Sequence, residues 1–123
     1  MSFSTDIQVI DQIIDDWKTE TGQGDLNVEV GTLDLKVRLQ LPIMLMDYEY
    51  QYDESLNGYP ILPTMQWTFT YLRDTKDYAD VNVKLEKFLN QFENNNKEVL
   101  VVAKQLIPVT DTRLAIGWMV TVR

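Results

Sequence analysis

The chain has no histidine and no cysteine in 123 residues. Those two side chains supply most near-neutral proton shuttles, most thiol nucleophiles and nearly all transition-metal sites. Their absence excludes a disulfide framework, a Cys- or His-based catalytic pair and a zinc site of the common kinds. Serine is scarce as well: Ser2, Ser4 and Ser55 are the only three, and none lies near a candidate base. Five scattered glycines make no phosphate-cradling loop. The longest apolar runs, 43–46 and 99–103, are far short of a membrane span. Basic charge is the minority, with 11 Lys and Arg against 19 Asp and Glu, a net charge of −8. Such a balance repels phosphate backbones and anionic lipid, so neither nucleic-acid binding through a basic patch nor membrane adsorption is expected. The opening Met-Ser-Phe-Ser-Thr-Asp has no basic or apolar leader segment, and no secretory signal is expected. No catalytic residue, cofactor or metal ligand is expected, and the chain reads as non-enzymatic.

What is present is a well-patterned soluble domain. The 45% hydrophobic and 24% charged content is ordinary globular composition, and the length suits a single domain over residues 1–123. Residues 5–20 carry Ile7, Ile10, Ile13, Ile14 and Trp17 at helical spacing, with Asp6, Asp11, Asp15 and Asp16 largely opposite. Thr5 and Gln8 resemble a capping box, and Gly22 and Gly24 stop the helix. Leu26, Val28 and Val30 then alternate with polar residues. After Gly31 the alternation restarts out of phase at Leu33, Leu35, Val37, Leu39 and Leu41. Beyond Pro42, Met44, Met46, Tyr48, Tyr50 and Tyr52 share one face, and 53–63 reads as a loop. Met65, Trp67, Phe69 and Tyr71 form another strand. A second helix is predicted from Asp80, as N-cap, to Glu93, with Val81, Leu85, Phe88, Leu89 and Phe92 inward. Strands over 99–109 and 114–122 close the chain. The fold class is α+β: an antiparallel β-sheet with two helices packed mainly on one face, in the order α-β-β-β-β-α-β-β.

The candidate sites are surfaces rather than pockets. Asp47, Glu49, Asp53 and Glu54 form the densest carboxylate group, but their spacing matches no calcium loop, so they read as a solvated sheet face. The tyrosine row Tyr48, Tyr50 and Tyr52, with Tyr59 and Tyr71, is either sheet packing or a protein interface. Its interleaved acids argue against base stacking. Tyr52, Tyr59, Ile61 and Leu62, in a segment stiffened by Pro60 and Pro63, form the first candidate protein interface. Asp11, Asp15 and Asp16 form the second, a docking face for a basic partner or simply a solvated one.

The order of elements is similar to that of the tail terminator proteins of long-tailed bacteriophages. The residues that carry the likeness are an opening helix, the proline-introduced strand Leu41-Pro42-Ile-Met-Leu-Met46 and the strand Met65-Gln-Trp-Thr-Phe-Thr-Tyr71. An amphipathic helix over 81–92 and two closing strands complete it. The strand pair over 26–41 is longer than that family's pattern. The family has no invariant chemical motif, so the resemblance assigns no functional residue. It implies a homo-oligomeric ring, typically a hexamer, that caps the tail tube and joins it to the head. Its partners would be copies of itself, tail-tube subunits and head-tail connector proteins, and its location the virion, assembled in the host cytoplasm. The charge pattern alone also admits an acidic protein-binding module in a bacterial cytoplasm, either a secretion chaperone or a nucleic-acid-mimicking inhibitor.

Trp17 and Phe88 stand on the apolar stripes of their helices and are expected core anchors. Phe88→Ala should cost about 3–5 kcal/mol. A melting midpoint that hardly moves would place the stripe of the second helix elsewhere.

Overall fold

The computed structural model describes residues 3–31, 41–51, 64–110 and 112–123. Helix α1 (Phe3–Glu20) is followed by β1 (Asn27–Val30), β2 (Ile43–Gln51) and β3 (Thr64–Asp74). A 3₁₀ turn over Thr75–Asp77 leads into α2 (Tyr78–Asn94), and β4 (Val99–Thr110) and β5 (Arg113–Val122) finish the chain. The described elements fall in the expected α+β order; the predicted strand over 33–41 lies almost wholly outside the described residues. The sheet order is β1-β2-β3-β5-β4. Every neighbouring pair is antiparallel except β1 and β2, which run parallel with Asn27 opposite Ile43 and Val30 opposite Met46. The sheet is therefore mixed, because β1 enters from α1 alongside β2 instead of turning back onto it.

Both helices end where the sequence breaks them. At the end of α1 the Gln23 N–H donates to the Lys18 carbonyl (2.7 Å) and the Gly22 N–H to that of Thr19 (3.2 Å). Gly22 takes the left-handed φ of 67° that this closure needs. Asn96 plays the same part after α2, with φ 56° and the Lys97 N–H donating to the Phe92 carbonyl. The helix starts differ from expectation. Helix α1 already includes Phe3, so Thr5 lies inside its first turn and is not the N-cap. Helix α2 begins at Tyr78, with Asp77 at the N-cap and Asp80 inside the first turn.

Alternation divides the sheet into two faces. Met65, Trp67, Phe69 and Tyr71 of β3 point to the helices with Met44 of β2 and Trp118, Val120 and Val122 of β5. There they bury Ile10, Ile13, Ile14 and Trp17 of α1 and Val81, Phe88 and Phe92 of α2 in one core. Trp17 touches Tyr71, Phe88 and Trp118 at ring-centroid distances of 5.3, 5.0 and 5.9 Å. A smaller cluster of Ile43, Leu45, Leu72, Ile107 and Ala115 occupies the opposite face. Helix α1 is also rotated from the expected stripe. Ile7 is 40% exposed, and Asp6 takes the inward position one turn before Ile10.

Gly117 marks the tightest approach in the sheet. A Cβ there would stand 1.6 Å from the main-chain oxygen of Tyr71 and 2.7 Å from its carbonyl carbon. Backbone cannot yield as a flexible side chain can, so Gly117→Ala should destabilise the fold by about 3 kcal/mol or more. A denaturant titration checks this, and an unchanged midpoint would show that β3 and β5 separate freely at that point.

Candidate interaction surface

The polar groups that sequence reading would inspect for chemistry are tied into the fold. Buried Asp6 accepts a hydrogen bond from Trp67 Nε1 (3.0 Å) and pairs with Lys97 Nζ. That arrangement explains why an acid can take an inward position: a buried carboxylate is tolerable once paired and hydrogen-bonded. A second knot closes around Tyr71. Its hydroxyl donates to Gln23 Oε1 (2.5 Å) and accepts from Arg73 Nη1 (3.5 Å). Arg73 also pairs with Asp77 (3.2 Å) and Asp80 (2.7 Å), and Lys84 pairs with Asp80.

These groups border a cleft of about 610 Å³ between the end of α1, the start of β1 and the first turn of α2. Arg73, Asp80 and Lys84 line the cleft and are satisfied by the knot itself. The Lys84 ammonium, donating into the Asp80 carboxylate, holds that group below the usual carboxylate range. Burial pushes the Tyr71 hydroxyl up to about 12 against the pull of Arg73, so it stays protonated and cannot serve as a base near neutral pH. The knot braces β3 against α2 and the α1–β1 turn.

The expected interface residues divide sharply. Tyr52, Tyr59, Ile61 and Leu62 lie outside the described residues, as do Asp53 and Glu54. Asp11, Asp15 and Asp16 are exposed on the outward side of α1. Asp16 accepts from Gln12 Nε2 (2.8 Å), and among the described residues no cation pairs with any of the three. Asp47 and Glu49 share the sheet face opposite the helices, in register with Thr68 and Gln66. Tyr48 and Tyr50 are exposed at the far end of β2, and Phe3 packs on Tyr50 (5.3 Å).

The surface missing from the sequence reading is β4. It is a sheet edge twelve residues long, and Val99, Leu100, Val101, Val102 and Leu106 remain 36 to 53% exposed along it. The signal was the unbroken apolar run 99–103. In a strand buried on one face only, polar residues should alternate; a continuous run places apolar side chains on both faces. At an edge that means open apolar surface on each side of a backbone that has no partner among the described residues. Beside it, Tyr78, Val81, Leu85, Val102 and Trp118 help line a groove of about 230 Å³ between α2 and the hairpin. No protein-family model, curated protein or solved structure matches this chain.

The Tyr71 knot sets an alkaline limit. The unfolded chain releases this proton near 10.0, whereas the folded chain keeps it to about 12. Stability therefore holds below pH 10 and falls from pH 10 to 12, where the unfolded state binds fewer protons. Tyr71→Phe should show a shallower fall than the wild-type chain across that window in denaturant titrations. Equal slopes would show that the phenol is not protected by the fold.

Proposed function

We propose that this chain is a non-enzymatic structural assembly protein, read most specifically as a phage tail terminator or neck protein that forms a ring capping the tail tube. The observation that carries the assembly reading is the long apolar edge of β4. Natural sheet proteins shorten, charge or cover their edges, because an open one pairs with other chains. Here twelve residues of edge carry a single charge, Lys104. The order of elements adds the tail-terminator resemblance. The acidic outer side of α1 supplies a separate charged surface on which a second component of the assembly can dock.

A second reading, an acidic binding module, is favoured by one feature: Asp11, Asp15 and Asp16 point to solvent without a cation among the described residues. In that reading the partner is basic and the complex weakens steeply with salt.

Native mass by light scattering, with negative-stain microscopy in the presence and absence of tail-tube subunits, separates the two. Rings that seat on tube ends are the expected result. A chain that stays monomeric throughout and ignores the tube overturns the assembly reading. A salt-sensitive one-to-one complex with a basic protein establishes the second.

A further inference from the structure

The hydrogen-bonding phase of β4 determines what its edge can accept. Glu98 and Arg123 exchange reciprocal main-chain bonds (3.1 and 2.9 Å), so this pair faces inward between β4 and β5. One register shift follows at Leu100, and pairing then runs regularly from Val101 opposite Thr121 to Pro108 opposite Leu114. Alternation along that run turns the N–H and C=O groups of Val102, Lys104 and Leu106 outward. Pro108 falls in the same outward phase, where its missing N–H costs the β4–β5 ladder nothing. The two positions agree on a single assignment. The edge therefore offers three donors and four acceptors, bounded by irregularities at Leu100 and Val109.

We infer that, away from its other partners, the chain is held as a two-fold dimer in which β4 pairs antiparallel with β4 of a second copy. This goes beyond the proposed function, since the pair stands whether or not it is later exchanged for ring contacts. Charge selects a second copy as occupant. In a chain of net charge −8, β4 and β5 contain no acidic residue and carry Lys104 and Arg113. Two copies can meet along these strands without a carboxylate from either strand opposing another. Area is compatible: the five exposed apolar residues of β4 offer at most roughly 400 Å² per copy, of which strand pairing covers a part. The whole of it is about half of what each side of a stable interface buries, before main chain and polar side chains are counted. Closure agrees as well, because a two-fold contact uses up both edges and cannot propagate into a fibre.

Phase and charge also choose the register. Outward residues must face outward residues, so the dyad passes through either Lys104 or Gln105 if the pairing is to use seven of the eight residues of the regular run. The first places Lys104 opposite its own copy, a repulsive pair. The second places Gln105 opposite Gln105, Lys104 opposite Leu106 and Val102 opposite Pro108. On the other face it joins Ala103 to Ile107. The dimer takes the second register.

The chain lacks cysteine, so single-cysteine reporters are unambiguous. Gln105→Cys places two thiols across the dyad in a non-hydrogen-bonded pair, with Cα atoms about 4.5 Å apart, within disulfide reach. It should form a disulfide-linked dimer on mild oxidation about tenfold faster than Glu86→Cys, on the exposed side of α2. The wild-type chain alone should have twice the chain mass. Lys104→Pro removes an outward N–H while sparing the β4–β5 ladder and should weaken self-association about tenfold or more. Its melting curve reports whether the fold survives; if it does not, the cysteine rates decide alone. A wild-type chain that is monomeric at every concentration, or equal linking rates for the two cysteine variants, overturns the pairing. A folded Lys104→Pro dimer of unchanged affinity does the same. Rings on tube ends from a chain monomeric in isolation would overturn the dimer and leave the proposed function standing.

Discussion

Two indole N–H groups fix the geometry on which the rest depends. Trp17 of α1 donates to the main-chain carbonyl of Lys84 (2.9 Å), and Trp118 of β5 donates to that of Val81 (3.1 Å). Both acceptors lie in α2, less than one turn apart, so one helix is gripped from the neighbouring helix and from the sheet at once. Buried indoles must place their N–H groups somewhere, and doing so against helix carbonyls sets both the rotation of α2 and its height over β5. Phe88 then falls between Trp17, Phe69 and Trp118, with centroid distances of 5.0 to 5.3 Å. Most of the aromatic core is organised around α2.

That arrangement has a geometric consequence. With α2 held over β5 and α1 packed beside it over β3, two helices cannot also cover a fifth strand. The uncovered strand is β4, and its helix-side residues Val102 and Leu106 stay open. The apolar edge therefore follows from how few helices the described residues form and where the tryptophans pin them. The same pinning leaves Tyr48 and Tyr50 open at the end of β2, on the helix side of the sheet.

Much of this was legible in the sequence, though unevenly. The period-two patterns of 65–71 and 114–122 identified their strands and inward faces, because a sheet with one buried face leaves no other solution. Leu114, opposite Pro108 near the hairpin turn, escapes burial, and Ile116 is half-buried. Helical spacing placed Ile10, Ile13, Ile14 and Trp17 correctly but put Ile7 inward where the structure puts Asp6. That placement rests on Lys97 and Trp67, 91 and 61 residues away. The parallel pairing of β1 with β2 was illegible for the same reason: alternation gives the phase of a strand and says nothing of its neighbour's direction. The need for glycine at 117 was hidden because no turn signal accompanies it; it arises from the approach of β3. Asp11, Asp15 and Asp16 were read as exposed and are, whereas Asp6, read with them, is buried. The run 99–103 was visible only as a length too short for a membrane, and its meaning appears once β4 is known to be an edge.

Charge completes the picture. A chain of net charge −8 resists close approach to its own copies everywhere its carboxylates are displayed. The outward side of α1 and the acidic end of β2 are such places. The two closing strands are not: they carry two cations and no acid, and Glu98 just before β4 is neutralised by Arg123 (3.0 Å). Repulsion over the rest of the surface and its absence along one edge do the work that edge lysines do in other sheets. They guard against indiscriminate pairing while leaving one direction of approach open. In the proposed dimer, specificity thus comes less from what β4 attracts than from where the rest of the chain refuses contact.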